Sequence, residues 1–465
     1  MKQVQTHKQG QKGIQEPGQR EQEKRRRQEE RFCSKQTKTA AKYLRRVEEL
    51  SGAPKALAPF LETLRKVYLE MKDPLADLQK PLVGTYCVMA PQELIYAAGA
   101  VPVKLCSGNY TAFSIGDDIV PRDACPLVKA VAGFQDMELM PIYRDCQLMA
   151  VPITCDCKKK IVELLEKTHD VYPLQVPAGR EDEDIDQYVE ELYGFIEQLE
   201  DLTGQPVTWD ALVKGMNIVG REKYELSRFL ALKKRTPYLM RGTHILAIMN
   251  AAAYMTASNW ADHMHALNEE LQERIHAGKK VTSKELPRIM ITGSPIIFPN
   301  MKIPLLIEEM GGILAADETC MGERGMSDPA VVVDESFDGM IRALANQAVR
   351  PCSCPTFVNN TERIYRIRQM ISDYQIQGVI CHVLRGCLVY DFEYKRIEEE
   401  LSEMGIPVIR LESDYNEEDV EQLRIRIEAF IELIKLKGAQ HKNTVPGENG
   451  KMTGKQAGCP GEMER

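Results

Sequence analysis

Thirteen cysteines, set against eight histidines, carry most of the chemistry this chain can do. Eight of them fall where a helix is predicted to start or a strand to end. Cys87, Cys106, Cys125 and Cys155 do so in the first half, and Cys320, Cys352, Cys354 and Cys387 in the second. A single cysteine is most often a small buried hydrophobe, and Cys146 and Cys381, inside or beside predicted strands, are read that way. Packing residues scatter through cores, whereas these eight gather at loop edges, which in an α/β domain open onto one side. Thiolates crowded together repel unless a cation neutralises them, so a metal centre is expected where they meet. Soft sulfur donors with little histidine nearby favour an iron–sulfur centre over catalytic zinc. The pairs Cys155-x-Cys157 and Cys352-x-Cys354 could together supply a four-cysteine zinc site, but both lack the wider spacing of structural zinc ribbons. Cys33 and Cys459 lie in or beside polar terminal stretches and are poor ligand candidates.

The elements that must position these thiols follow from pattern. In residues 84–106, Pro91 and Glu93 suit the first turn of a helix, Leu94, Ile95 and Ala98 form its apolar stripe, and Gly99 stops it. A short buried strand over 101–105 follows, so Cys87 precedes a helix and Cys106 ends a strand. Cys125 stands directly before Pro126, a favoured first helical residue. Strands are predicted over 148–153, running out to Cys155, and over 171–176, with a helix over 184–199. Helices over 208–232 and 244–277 bridge to a second α/β unit. There the order strand, turn, helix, glycine, strand, cysteine recurs through residues 288–320, followed by strands over 378–383 and 408–411. The chain is thus divided into a disordered tail (1–38), a helical segment (39–80), a first α/β domain (81–205), a helical bridge (206–285), a second α/β domain (286–437) and a second disordered tail (438–465). His263 and His265 point away from each other on one helix and are read as surface residues.

At 465 residues the chain is long enough for two or three domains, and no apolar run reaches membrane-spanning length. A net charge of −8 gives no general attraction to nucleic acid or anionic membrane. The basic run at 24–27 is interleaved with glutamates and reads as a solvated charge run. No secretory h-region is present at the N-terminus, which points to the cytoplasm, where thiols stay reduced. No predicted strand is followed by G-x-G-x-x-G, so a Rossmann nucleotide site is not expected.

Several segments taken in order resemble the 2-hydroxyacyl-CoA dehydratase superfamily, and most of all its double-cubane cluster branch. They are G-T-Y-C-V-M-A-P-Q-E from Gly84, C-P-L-V-K from Cys125, T-C-D-C-K-K-K from Thr154, E-T-C-M-G from Glu318, C-S-C from Cys352, R-G-C from Arg385 and E-S-D-Y from Glu412. The resemblance runs from about residue 80 to 436. It implies two flavodoxin-like, doubly wound α/β domains with a cluster in the cleft between them. In the dehydratase components a single [4Fe–4S] cubane has three cysteine ligands, and Cys125, Cys155 and Cys387 match them. The double-cubane branch implies an [8Fe–9S] centre on six cysteines, here Cys87, Cys125, Cys155, Cys320, Cys354 and Cys387, with Cys106 and Cys352 in reserve. Cys157 stands where a small neutral residue is expected, and is a competing ligand or a silent thiol. The branch further implies an anaerobic reductase of a small molecule, homodimeric and fed by an ATP-hydrolysing iron–sulfur activator. Glu93, His382 and Arg385 are the candidates for proton supply or substrate contact, and the lysines at 158–160 for a helix start or the donor's surface, with a solvated face as the plainer reading. The alternatives are a dehydratase component with one cubane, which is a lyase, and an electron-transfer protein that turns nothing over.

Overall fold

The computed structural model describes residues 17–444, except 138–139, 237, 283–284 and 327. Short apolar runs bounded by turn residues form eight strands in two four-stranded sheets. The first holds β1 (Leu82–Thr85), β2 (Val101–Lys104), β3 (Cys146–Ala150) and β4 (Asp170–Tyr172) in the order β2-β1-β3-β4. The second holds β5 (Arg288–Gly293), β6 (Ile313–Glu318), β7 (Gly378–Leu384) and β8 (Val408–Ser413) in the order β6-β5-β7-β8. Every pairing is parallel. Parallel strands need crossovers, which cover both faces with helices. This is why β1, β5 and β7 read as near-continuous apolar runs and are buried almost throughout. The two domains are flavodoxin-like and share one plan.

That plan explains the loop positions. With the order 2-1-3-4, the crossovers from β1 to β2 and from β2 to β3 run in opposite directions, and a crevice opens at the carboxyl ends of the strands. Cys87 follows β1, Cys106 follows β2 and Cys155 follows β3. Ser294 follows β5, Cys320 follows β6 and Cys387 follows β7. The β5 exit passes so close to β7 that a side chain on Gly293, at φ +116°, would put its Cβ 2.0 Å from the His382 carbonyl oxygen.

The structure departs most from the expected elements in four places. Residues 17–38, expected as a disordered tail, are the first part of a helix, Pro17–Glu49. Phe32, Gln36, Ala40, Tyr43, Leu44 and Val47 make a buried stripe along it that the charged sequence around residues 20–31 conceals. This helix touches both domains: Phe32 packs edge-on to Phe134 of the first, and Lys42 pairs with Glu417 of the second. At the other end the helix Val420–Thr444 continues past residue 437, into the stretch expected as the second tail, while Cys459 lies outside the described residues. The helix expected over 244–277 is two helices, Gly242–Ala251 and Ala257–His276, because the Thr256 hydroxyl caps a new start by accepting from the Asn259 amide. Pro91 is the cap before helix Gln92–Ala97, not a residue of its first turn.

The bridge helix Trp209–Arg235 lies tightly on the first domain; a Cβ on Gly215 would sit 2.2 Å from the Glu93 carbonyl oxygen. One continuous apolar core runs from Phe32 through both sheets to Ile434. No helix among the described residues is long and apolar enough to cross a membrane.

Candidate metal centre

The carboxyl ends of both sheets face a shared chamber. Its wall includes Cys87, Cys106, Cys125 and Cys155 from the first domain and Cys320, Cys352, Cys354 and Cys387 from the second. All six expected ligands and both reserves therefore meet there. Cys157 is not on the wall; it packs at the edge of the core as the second residue of helix Asp156–Leu165. Cys146 and Cys381 are buried within β3 and β7, as packing residues are, and Cys33 packs against the core from the N-terminal helix. Among the described residues no three histidine, cysteine or acidic side chains converge tightly enough for a single metal ion. The thiols line a wide chamber instead of pinching one point.

Each loop is held by groups behind it. Cys155 is the cap residue of helix Asp156–Leu165, and Cys387 that of helix Leu388–Glu403. The loop before Cys125 is pinned by buried Lys129, which donates to the Asp117 carboxylate and the Arg122 carbonyl. The Cys352–Cys354 loop receives Arg180 on the Cys352 carbonyl (2.6 Å) and Asn360 on the Cys354 carbonyl (3.0 Å). Buried Arg324 donates to the Ser353 carbonyl (3.3 Å), to Glu318 (3.1 Å) and to the Tyr390 hydroxyl. Glu318, wholly buried, also accepts from Ser353 and Thr292 and pairs with Arg363, whose guanidinium reaches Glu393. Two buried arginines thus share two carboxylates, the arrangement a buried charge requires.

Burial dominates the electrostatics of the thiols. It pushes Cys106 and Cys125 up to about 12 and Cys352 and Cys387 up to about 11, and it raises Cys155, Cys320 and Cys354 as well. Neighbouring thiols add to the rise and divide the set in two. Cys125 is raised by Cys387, Cys157 and Cys155, whereas Cys352 and Cys354 are each raised by Cys87. Against these stand three cations on the wall, Lys104, Lys158 and Arg324, and no carboxylate or histidine. Burial disfavours the charge on Lys158, but Cys87, Cys106, Cys155 and Cys320 outweigh it and hold its pKa above the ordinary value. Its ammonium also donates to the Tyr86 carbonyl. Such a chamber keeps its thiols protonated until bonds to a metal displace the protons.

The three residues expected to handle protons or substrate are not on this wall. His382 is fully buried in β7, with Nδ1 2.9 Å from the Ser294 carbonyl oxygen and Nε2 2.8 Å from the Ser413 hydroxyl. Burial lowers its pKa to about 4, and Ser294 in turn accepts on its hydroxyl from the Leu384 amide (3.0 Å). It braces the loops beside the chamber. Arg385 is exposed and reaches Glu412 and Asp414. Glu93 is buried and pairs with Lys223 at 3.2 Å, in the wall of an adjoining polar cavity. The residues that sequence reasoning missed are Lys104, Arg324 and Glu318, and Lys158 reads in the sequence as part of a solvated run. Lys158 carries one usable signal, its position one turn after Cys155 on the same helix.

The sequence profile of the 2-hydroxyglutaryl-CoA dehydratase, D-component family (HGD-D) matches residues 87–434. The "Putative dehydratase subunit YjiM" of Escherichia coli (strain K12) is 30% identical over 389 residues, covering 83% of this chain and 99% of that protein. The (R)-2-hydroxyglutaryl-CoA dehydratase subunit beta of Acidaminococcus fermentans is 23% identical, over 81% of this chain and 99% of its own length. A benzoyl-CoA reductase subunit of Thauera aromatica is 21% identical, over 78% and 92%. The match takes in every cysteine on the chamber wall, and with it the chain belongs to the 2-hydroxyglutaryl-CoA dehydratase D-component family.

Proposed function

We propose that this protein is a low-potential iron–sulfur reductase of a small molecule, holding an [8Fe–9S] double cubane on Cys87, Cys125, Cys155, Cys320, Cys354 and Cys387. The relatives include subunits named for dehydration and for reduction, so both chemistries stand in the family. The observation that carries the reductase reading is the thiol count on one wall. Cys125, Cys155 and Cys387 suffice for one cubane, and five further thiols from both domains share the chamber with them. The donor set fits such a group: soft sulfur only, low dielectric, and three cations to offset a guest rich in negative sulfide and thiolate.

When bound, an iron–sulfur centre of this kind supplies electrons singly at negative potential. The chain's own part is to orient the thiols through Lys129, Arg180, Asn360 and Arg324, and to keep water scarce behind an apolar lining that includes Val88, Leu127, Ile297 and Leu384. Of the candidates for proton supply, Glu93 lines the adjoining cavity, which shares Val88, Met89, Arg324 and Cys352 with the chamber. In this reading the protein is a cytoplasmic homodimer, and an ATP-hydrolysing iron–sulfur activator delivers its electrons. Anaerobic purification with iron and sulfide analysis is the test. About eight irons per chain supports the double cubane, and about four supports a single-cubane dehydratase component instead.

A further inference from the structure

Any net reduction needs protons as well as electrons, yet the thiol chamber has no carboxyl group or histidine on its wall. The adjoining cavity does. It shares Val88, Met89, Arg324 and Cys352 with the chamber, and its own wall carries the Glu93–Lys223 pair and Glu222. Glu222, which lines the cavity, is 3% exposed and forms no hydrogen bond or ion pair among the described residues. A buried carboxylate without a partner is costly unless it binds something, and a proton is the smallest thing it can bind.

We propose that Glu222 is the proton-loading group of the metal centre, filled from solvent in the polar cavity whenever an electron enters the thiol chamber. The inference rests on the cluster reading above. In the step, one electron arrives from an external low-potential donor, and one proton from solvent forms an O–H bond on a Glu222 carboxylate oxygen. The charge of the buried region is then unchanged. The charged and titratable groups facing Glu222 are Lys104 from β2, Lys223 beside it on its own helix, and Glu93 and Tyr96 from helix Gln92–Ala97, while Arg324 and Asp328 share its cavity wall. Burial raises the Glu222 pKa, and Lys104 and Lys223 work against the rise. Lys104 lies on the chamber wall, so its charge links the two compartments.

The test is an electrochemical titration of the iron-loaded protein, followed by electron paramagnetic resonance, at a series of pH values. Coupling one proton to one electron makes the midpoint potential fall by about 59 mV per pH unit. The slope is expected in the wild type, lost in Glu222→Gln and retained in Glu222→Asp. A flat wild-type profile, or a Glu222→Gln profile as steep as the wild type, overturns the assignment. A chain that takes up no iron overturns the cluster reading itself, and the iron count shows that before any potential is measured.

Discussion

Replacing His382 with asparagine should change how stability depends on pH, by an amount set by the burial of the imidazole. In the folded chain its two nitrogens meet one carbonyl acceptor and one hydroxyl, which suits a neutral ring with one donor and one acceptor. Burial lowers its pKa from 6.5 to about 4. Between those values the unfolded chain binds the proton and the folded chain does not, so stability is lost as pH falls. A shift of that size amounts to about 3 kcal/mol, fully present above pH 6.5 and gone near pH 4. His244, also fully buried and lowered to about 4, acts in the same direction.

Two buried carboxylates act the opposite way. Asp317, both of whose oxygens lack partners, is raised from 3.8 to about 7, and Glu308 from 4.5 to about 7, in each case mainly by burial. Their folded forms hold protons that the unfolded chain releases, so their contribution falls as pH rises through that window. Between pH 4.5 and 6.5 the contributions of these four groups therefore nearly cancel, and single substitutions unmask them. His382→Asn should leave stability falling with pH by about 1.4 kcal/mol per unit. Asp317→Asn should leave it rising and remove a penalty of about 4 kcal/mol at pH 8. Urea unfolding of the metal-free chain at each pH, with free energies from linear extrapolation, gives the two difference curves. A wild-type minus His382→Asn curve that is flat from pH 4 to 7 refutes the argument, because it means the imidazole titrates alike in both states, as a solvated general acid would.

Lys129→Met removes the donor that ties the Arg122 carbonyl and Asp117 to helix Pro126–Met137, at a cost of about 1–3 kcal/mol. It should lower iron content after anaerobic reconstitution while the far-ultraviolet circular dichroism stays that of the wild type, and full iron loading would count against it. Gly133→Ala should lower the urea midpoint by the equivalent of about 1–3 kcal/mol or more, because its Cβ would lie 1.9 Å from the Ala112 carbonyl oxygen. An unchanged midpoint would mean that these two helices are less closely packed than described.

The thiol set was legible because its signal is local and topological. A cysteine just past a strand or just before a helix has few places to go in a parallel α/β fold, and Cys87, Cys155 and Cys387 follow that rule. The proton-handling candidates rest on residue type, which says nothing of partners. Pairing Glu93 with Lys223 takes two segments 130 residues apart, and His382 is fixed by strands on either side of its own. Buried cations are concealed for the same reason. Arg324 sits in the polar run Glu323-Arg324-Gly325 and reads as surface, until Glu318, Ser353 and Tyr390 are folded around it. Long charged helices mislead in the opposite sense: the N-terminal one hides a six-residue buried face, and Glu222 sits unremarked in a helix of mixed charges.

The two domains match in strand order but not in what their exits carry, and the difference gives the chamber its character. Cys87 leaves β1, while the equivalent exit of β5 carries Ser294, whose carbonyl is committed to His382. The second domain recovers thiols from a loop outside the repeat, Cys352 and Cys354, and that loop is the one anchored by Arg324. The side richest in added thiols therefore also receives a buried guanidinium, compensated by Glu318 behind it and open to the sulfurs in front. The first domain answers with Lys104 and Lys158, one from a strand end and one from a helix start. Three fixed cations around eight thiols, with every nearby carboxylate held behind the wall, favour a compact anionic guest over a bare metal ion. Against a lone divalent cation those charges would be repulsive; against a sulfide-rich cluster they neutralise charge that water cannot reach.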